Sequence, residues 1–396
     1  MELNQKIKEA RECLVQEGID GWLFYDFRGN NEIACQFLNI DKAHRTRRWF
    51  YWLPVVGEPV KILHAIEQKP LSHLPGEKLV YNSWQQLDHH LSSLLTGRKK
   101  VAMEYSPNNA IPYVSKVDGG TVDAVRKCGV EVVSSAQIMQ YYQQFWDEKT
   151  LQSHLFAADL VDTIAADSWA LIKGHLESGK TINEYDVHKF IEEQFEANNC
   201  YSDGSPICAV NAHAADPHYV PTAKGALLIK KGDFVLIDLW CRHKDPGSAF
   251  ADIARVAVAD VEPTQKHQEV FNVVKHARLA GVDLIKARYK EGRAVQGWEV
   301  DQVCRQIISD AGYGEFFTHR TGHNIGIEGN HGDGTHLDNF ETQDFRYLLP
   351  GTCCSVEPGI YLPGEFGVRL EFDLVITRDK TIRITGGIQD EIVTLL

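Results

Sequence analysis

Residues 355–373 read SVEPGIYLPGEFGVRLEFD. Two apolar runs flank a middle rich in proline and glycine, which is the pattern of a β-hairpin. Glu357 and Glu371 sit inside those runs, where a carboxylate is normally excluded. Their midpoint is Gly364, in the turn. Arms paired about that residue would set the two glutamates opposite each other on one face, with Cβ atoms roughly 4.5–5.5 Å apart. Two like charges that close repel unless a cation lies between them. A metal ion is such a cation.

A second stretch repeats the construction. Residues 234–258 read FVLIDLWCRHKDPGSAFADIARVAV, and the midpoint of Asp238 and Asp252 is Asp245, in the Asp-Pro-Gly turn. The expectation is a second pair of opposed acids. One buried acid is ordinarily a hydrogen-bonded structural residue, but two hairpins that each present a pair are hard to explain that way. His323 lies in RTGHNIGIEGNH (320–331), a glycine-rich segment whose backbone can come close to a site. Four carboxylates and one histidine can hold two divalent ions roughly 3.5–4 Å apart. Oxygen-rich ligation suits manganese, with zinc, cobalt and iron also compatible.

The rest of the chain bounds the setting. Its 396 residues suit two or three domains, and 43% hydrophobic content suits a globular protein with a large core. A formal net charge of −13 argues against nucleic acid or an anionic membrane as partner. The start, MELNQKIKEA, is polar rather than signal-like, and no stretch approaches the roughly 20 apolar residues of a membrane span. Nine cysteines without a CxxC pair read as reduced thiols of a cytoplasmic protein. Up to about Gln144, strand patterns at 22–27, 49–56, 60–63, 101–105 and 130–135 alternate with helices such as 84–95, an α/β arrangement. From Phe145 the pattern changes. Apolar residues from Leu151 to Ile172 recur at steps of three or four, predicting a long helix. Thr181 and Glu184 read as a capping box for a helix to about Asn198. A stripe from Val300 to Ala311 predicts another, stopped by Gly312. The expected fold class is α+β, with domains at 1–146 and 147–396.

Asp238, Asp252, GHNIG (322–326), EPGIY (357–361) and GVRLE (367–371) occur in an order that resembles the pita-bread metallopeptidases. EPGIY followed by GVRLE is most similar to the proline-specific branch, Xaa-Pro dipeptidase (prolidase) or aminopeptidase P. GNNEIACQFLN (29–39) resembles a segment of that branch's N-terminal domain. The resemblance implies a C-terminal pita-bread (creatinase/aminopeptidase) domain, an N-terminal α/β creatinase-like domain and a homodimer. It makes Asp238, Asp252, His323, Glu357 and Glu371 the ligands of two divalent ions, with Asp252 and Glu371 bridging. His218, in DPHYVPT (216–222), and His331 would face the substrate. Arg369 would support the site through hydrogen bonds. Glu357 would carry the proton from a metal-bridging hydroxide to the leaving nitrogen. The implied reaction is hydrolysis of the Xaa-Pro bond of dipeptides or short peptides with a free N-terminus. Three alternatives stay open: aminopeptidase P action on longer peptides, a creatinase-like amidinohydrolase, and a catalytically silent binding module. The chain also departs from the family pattern. His331 falls one residue late, which makes His336 its rival, and Phe372 stands where an aspartate commonly follows the last ligand. RTRRW (45–49) is a candidate reader of the substrate's C-terminus.

Overall fold

A computed structural model describes residues 3–41, 45–143 and 146–396. Gln144 and Phe145, where the sequence pattern changes, lie outside the described residues. The chain divides into two compact units, Met1–Gln143 and Gln144–Leu396.

The first unit is built on a six-stranded sheet of β1 (Gly21–Asp26), β2 (Trp49–Pro54), β3 (Val60–His64), β4 (Glu77–Tyr81), β5 (Lys100–Met103) and β6 (Glu131–Ser134), in the order β4-β3-β2-β1-β5-β6. The short β4 has no counterpart among the expected strands. Helices α1 (Leu3–Gln16), α2 (Glu32–Phe37), α3 (Trp84–Leu95), α4 (Gly119–Arg126) and α5 (Ala136–Gln143) complete the unit. Every residue of β1 and β2 is buried, as befits central strands covered on both faces. Alternate side chains feed two cores. Trp22, Phe24 and Tyr51 join one, and Leu23, Tyr25 and Phe50 join the other. Arg45 is buried and pairs with Asp26 at 3.5 Å, which removes it from the arginines expected to read a substrate. Arg47 and Arg48 are exposed.

The second unit opens with α6 (Glu148–Glu177), N-capped by Asp147, and α7 (Glu184–Ala197). The capping box of α7 is Asn183 with Asp186, not Thr181 with Glu184. Ile182 and Asn183 are held in extended pairing with Leu228 and Ile229, so the helix begins later than the sequence pattern suggests. A sheet follows, of β7 (Cys200–Tyr201), β8 (Ile207–Val210), β9 (Phe234–His243) and β10 (Ala251–Val258). Odd-numbered residues of β9 and β10, such as Ile237, Leu239 and Ile253, pack with α6 and α7. Even-numbered ones, such as Leu236 and Val256, face the other way. Helices α8 (Gln265–Lys290) and α9 (Gly297–Asp310) precede β11 (Thr352–Val356), β12 (Gly359–Leu362), β13 (Phe366–Arg369), β14 (Phe372–Ile376), β15 (Ile382–Thr385) and β16 (Val393–Thr394). The last strand pairs in parallel with β10. The whole is the expected two-domain α+β architecture. No helix among the described residues is long and apolar enough to cross a membrane.

Candidate metal centre

The hairpin about Gly364 forms with the expected register. Gly359 pairs with Arg369 and Leu362 with Phe366. Beyond, Val356 pairs with Phe372 and Ser355 with Asp373, which keeps the same centre. Gly364 takes a φ of +77° at the turn, a conformation glycine enters without steric cost. Glu357 and Glu371 fall where the β12–β13 ladder hands over to β11–β14, so their backbone N–H groups are donated elsewhere. Glu357 donates to Thr321 O at 2.7 Å, and Glu371 to Ala254 O at 3.2 Å. The two bonds tie the hairpin to the His323 segment and to β10.

The second hairpin corrects the expectation. Asp238 pairs with Ala254 and Asp252 with Trp240, so the ladder centres on Pro246 rather than Asp245. The ladder with β10 stops at the Cys241–Ala251 pair, and Arg242 and His243 pair only with β7, on the opposite edge of β9. The connection is therefore wider than a tight turn at Asp-Pro-Gly. Asp238 and Asp252 are diagonal neighbours rather than directly opposed. A two-residue slip preserves the face, and both acids stay on the even side of the sheet, turned from α6 and α7.

The ligand atoms of Asp252, His323 and Glu371 all lie within 4.8 Å of one another. His323 Nδ1 donates to Asn324 O at 3.0 Å, which leaves Nε2 as an acceptor, 3.5 Å from Asp252 and 3.6 Å from Glu357. Ser355 Oγ accepts from the His323 N–H at 2.9 Å and donates to Glu357 Oε1 at 3.1 Å. Arg369 forms an ion pair with Asp238 and donates to the Tyr361 hydroxyl at 2.8 Å, which also bonds His319 at 2.7 Å. The His331 ring packs against His323 at a tilt of 31° with centroids 3.9 Å apart, and its Nδ1 lies 3.1 Å from Arg320 Nη2. His336 is buried, and its Nδ1 accepts from the Asn324 N–H at 3.0 Å. His218 sits on an exposed loop.

Two further residues belong to this cluster. Asn330 is buried and donates to Asp252 Oδ2 at 2.6 Å. Its position just before His331 was the available signal. Asp373 is also buried, and accepts from the Asp252 N–H at 2.8 Å. It stands one residue beyond Phe372, whose ring instead fills a core.

Burial, then the charge of Asp238, pushes the Asp252 carboxyl well above the usual carboxylate range. Burial, then Asp252, does the same to Glu371. Burial raises Glu357 to about 8 against the opposing pull of Arg369. His323 is pushed down to about 3, chiefly by burial. His331 falls to about 2, chiefly through the facing His323. Burial disfavours the Arg369 charge, but Asp238 outweighs it and the pKa rises. Asp238 Oδ1, Asp252 Oδ1 and Glu371 Oε1 are buried without a hydrogen-bond partner. Such oxygens are costly to bury unpaired. Three unpaired carboxylate oxygens beside a neutral imidazole nitrogen are a donor set for a divalent cation. The residues present therefore fit the group.

Comparison with known proteins agrees. A family model described as "Metallopeptidase family M24" matches residues 157–378. An Xaa-Pro dipeptidase of Lactobacillus delbrueckii is 36% identical over 173 residues, 44% of this chain and 42% of the relative. The chain spans about half the length of the curated relatives it matches. Among solved structures, an Xaa-Pro dipeptidase from Bacillus anthracis superimposes with a TM-score of 0.58 at 22% identity, covering 99% of this chain and 100% of that one. An X-Pro aminopeptidase from Thermotoga maritima gives 0.54 at 20% identity, covering 97% and 99%. The shared fold is the two-domain architecture with a C-terminal pita-bread domain.

Proposed function

The match over more than half of the chain places it in metallopeptidase family M24, and on that premise we propose a metal-dependent exopeptidase that cleaves the Xaa-Pro bond of dipeptides or short peptides. The observation that carries the reading is the convergence of Asp252, His323 and Glu371 among buried carboxylate oxygens that lack a partner. Asp238, Asp252, His323, Glu357 and Glu371 would hold two divalent ions, manganese being our choice. Such ions polarise a peptide carbonyl and make water acidic enough to lose a proton near neutral pH.

The chain's own residues supply the rest. Glu357, oriented by Ser355, would take up a proton during the reaction and pass it to the leaving nitrogen. Arg369 keeps Asp238 in place and is itself held by Tyr361. His331, exposed and packed against His323, is better placed to meet a peptide than His336, whose ring is tied into the framework. His218 is an exposed donor on its loop. An acid-rich pocket also favours a peptide's free ammonium group. A proline leaving group brings no N–H, so a pocket shaped for its ring can select it. A homodimer and a cytoplasmic location belong to the same reading. The first rests on the resemblance, the second on nine cysteines without a disulfide.

The test compares Ala-Pro, Ala-Ala, Ala-Pro-Ala and acetyl-Ala-Pro with manganese present. Ala-Pro should be cut fastest and acetylation should slow cleavage sharply. Equal rates on Ala-Ala would refute proline selection. Equal rates on acetyl-Ala-Pro would refute recognition of the amino group. Cleavage of Ala-Pro-Ala separates aminopeptidase from dipeptidase action.

A further inference from the structure

Glu184 opens α7 and is fully buried. Its carboxylate accepts from Val210 N at 2.7 Å, His213 Nδ1 at 2.9 Å, Tyr219 Oη at 2.6 Å and Leu227 N at 2.7 Å. A carboxylate offers about four acceptor sites, so this one is saturated. None of the donors comes from its own helix. They mark the start, middle and end of one segment, 210–227, and that segment carries His218. His213 and Tyr219 stack on each other with centroids 4.2 Å apart, which ties the inner donors together. The segment also lies against β13. A Cβ on Gly367 would come within 1.9 Å of Ala214 O, and Pro217 O is 3.5 Å from Arg369 Nη1.

We propose that Glu184 is a positioning residue that clasps the 210–227 segment and so sets His218 beside the Arg369–Asp238 pair. It acts through His218, and so rests on the reading of that residue above. Glu184→Gln keeps the size but turns one acceptor oxygen into a donor, leaving at least one of the four donors without a partner. Tyr219→Phe removes one donor only and is the milder change.

Three readouts test this in the full chain loaded with manganese: amide hydrogen exchange at Val210 and Leu227, metal content, and kcat and KM on Ala-Pro. Each variant is made alone and combined with His218→Ala. Glu184→Gln should speed exchange at one or both amides at least tenfold and lower kcat at least tenfold at unchanged metal content. It should lower kcat no further once His218 is gone, because the two residues act in series. Tyr219→Phe should move the same readouts less, and decides the matter if Glu184→Gln does not fold. Unchanged exchange in both variants, or an equal loss of rate with and without His218, overturns the proposal. Absence of Ala-Pro cleavage by the parent chain overturns the substrate reading instead. The clasp is then judged by exchange and by the rate at which diethyl pyrocarbonate modifies His218, which should change in both variants.

Discussion

Glu357 shows how one residue's surroundings set its chemistry. With a pKa raised to about 8 by burial, it is protonated at neutral pH, and burial pushes Asp252 and Glu371 the same way. Those protons must leave before the oxygens can ligate a cation. Lowering the pH through this range therefore puts protons in competition with metal. Manganese affinity should fall by roughly tenfold for each pH unit per proton displaced, and so be at least ten times weaker at pH 6.5 than at pH 8. Calorimetry in buffers of different ionisation enthalpy would count the protons released. An affinity independent of pH would mean that these carboxylates are not the ligands.

At the scale of elements, the centre forms because backbone groups freed at ladder ends bond to a neighbouring segment. Glu357 and Glu371 do this at the handover between two ladders, and beside His323 the bridge of Gly322 to Leu337 fixes the segment. A Cβ at Gly322 would lie 2.1 Å from Ser355 O, inside the approach that lets Ser355 hold the His323 backbone. Gly322→Ala should therefore push that strand away. The expected cost is about 1–3 kcal/mol of stability, as for other overpacked positions, with manganese binding weakened at least tenfold. Thermal unfolding and calorimetry on one preparation would check both. Wild-type values in both would show that the contact is unimportant.

Across the whole second unit, His154 links α6 to the residue before β10 and to the end of β15. Its Nδ1–H donates to Phe250 O and its Nε2 accepts from the Thr385 hydroxyl, each at 2.7 Å. Burial lowers its pKa from the ordinary 6.5 to about 4. Between those values the unfolded chain binds a proton that the folded chain does not. Stability from this residue is thus complete above pH 6.5 and declines as the pH falls towards 4, by about 3 kcal/mol in all. Urea unfolding of the metal-free chain at pH 7 and pH 4.5 should show this loss in the parent and a smaller one in His154→Gln. The same slope in both would remove His154 as the cause.

The sequence by itself determined the α+β class, the hairpin centred on Gly364 and the acids that meet His323. Alternating burial and turn chemistry are local signals, and they set which face a side chain takes. Only the tertiary structure decided the rest. The β9–β10 ladder centres on Pro246 and stops at the Cys241–Ala251 pair, so the connection is wider than the Asp-Pro-Gly turn alone. Glu184 became the anchor of a distant segment rather than a cap, because Asn183 is held in extended pairing. Asn330 and Asp373 reached Asp252 from elsewhere in the chain. Each of these depends on which strand or loop arrives alongside, and that choice is made by packing between segments 26 to 121 residues apart, which no local pattern encodes.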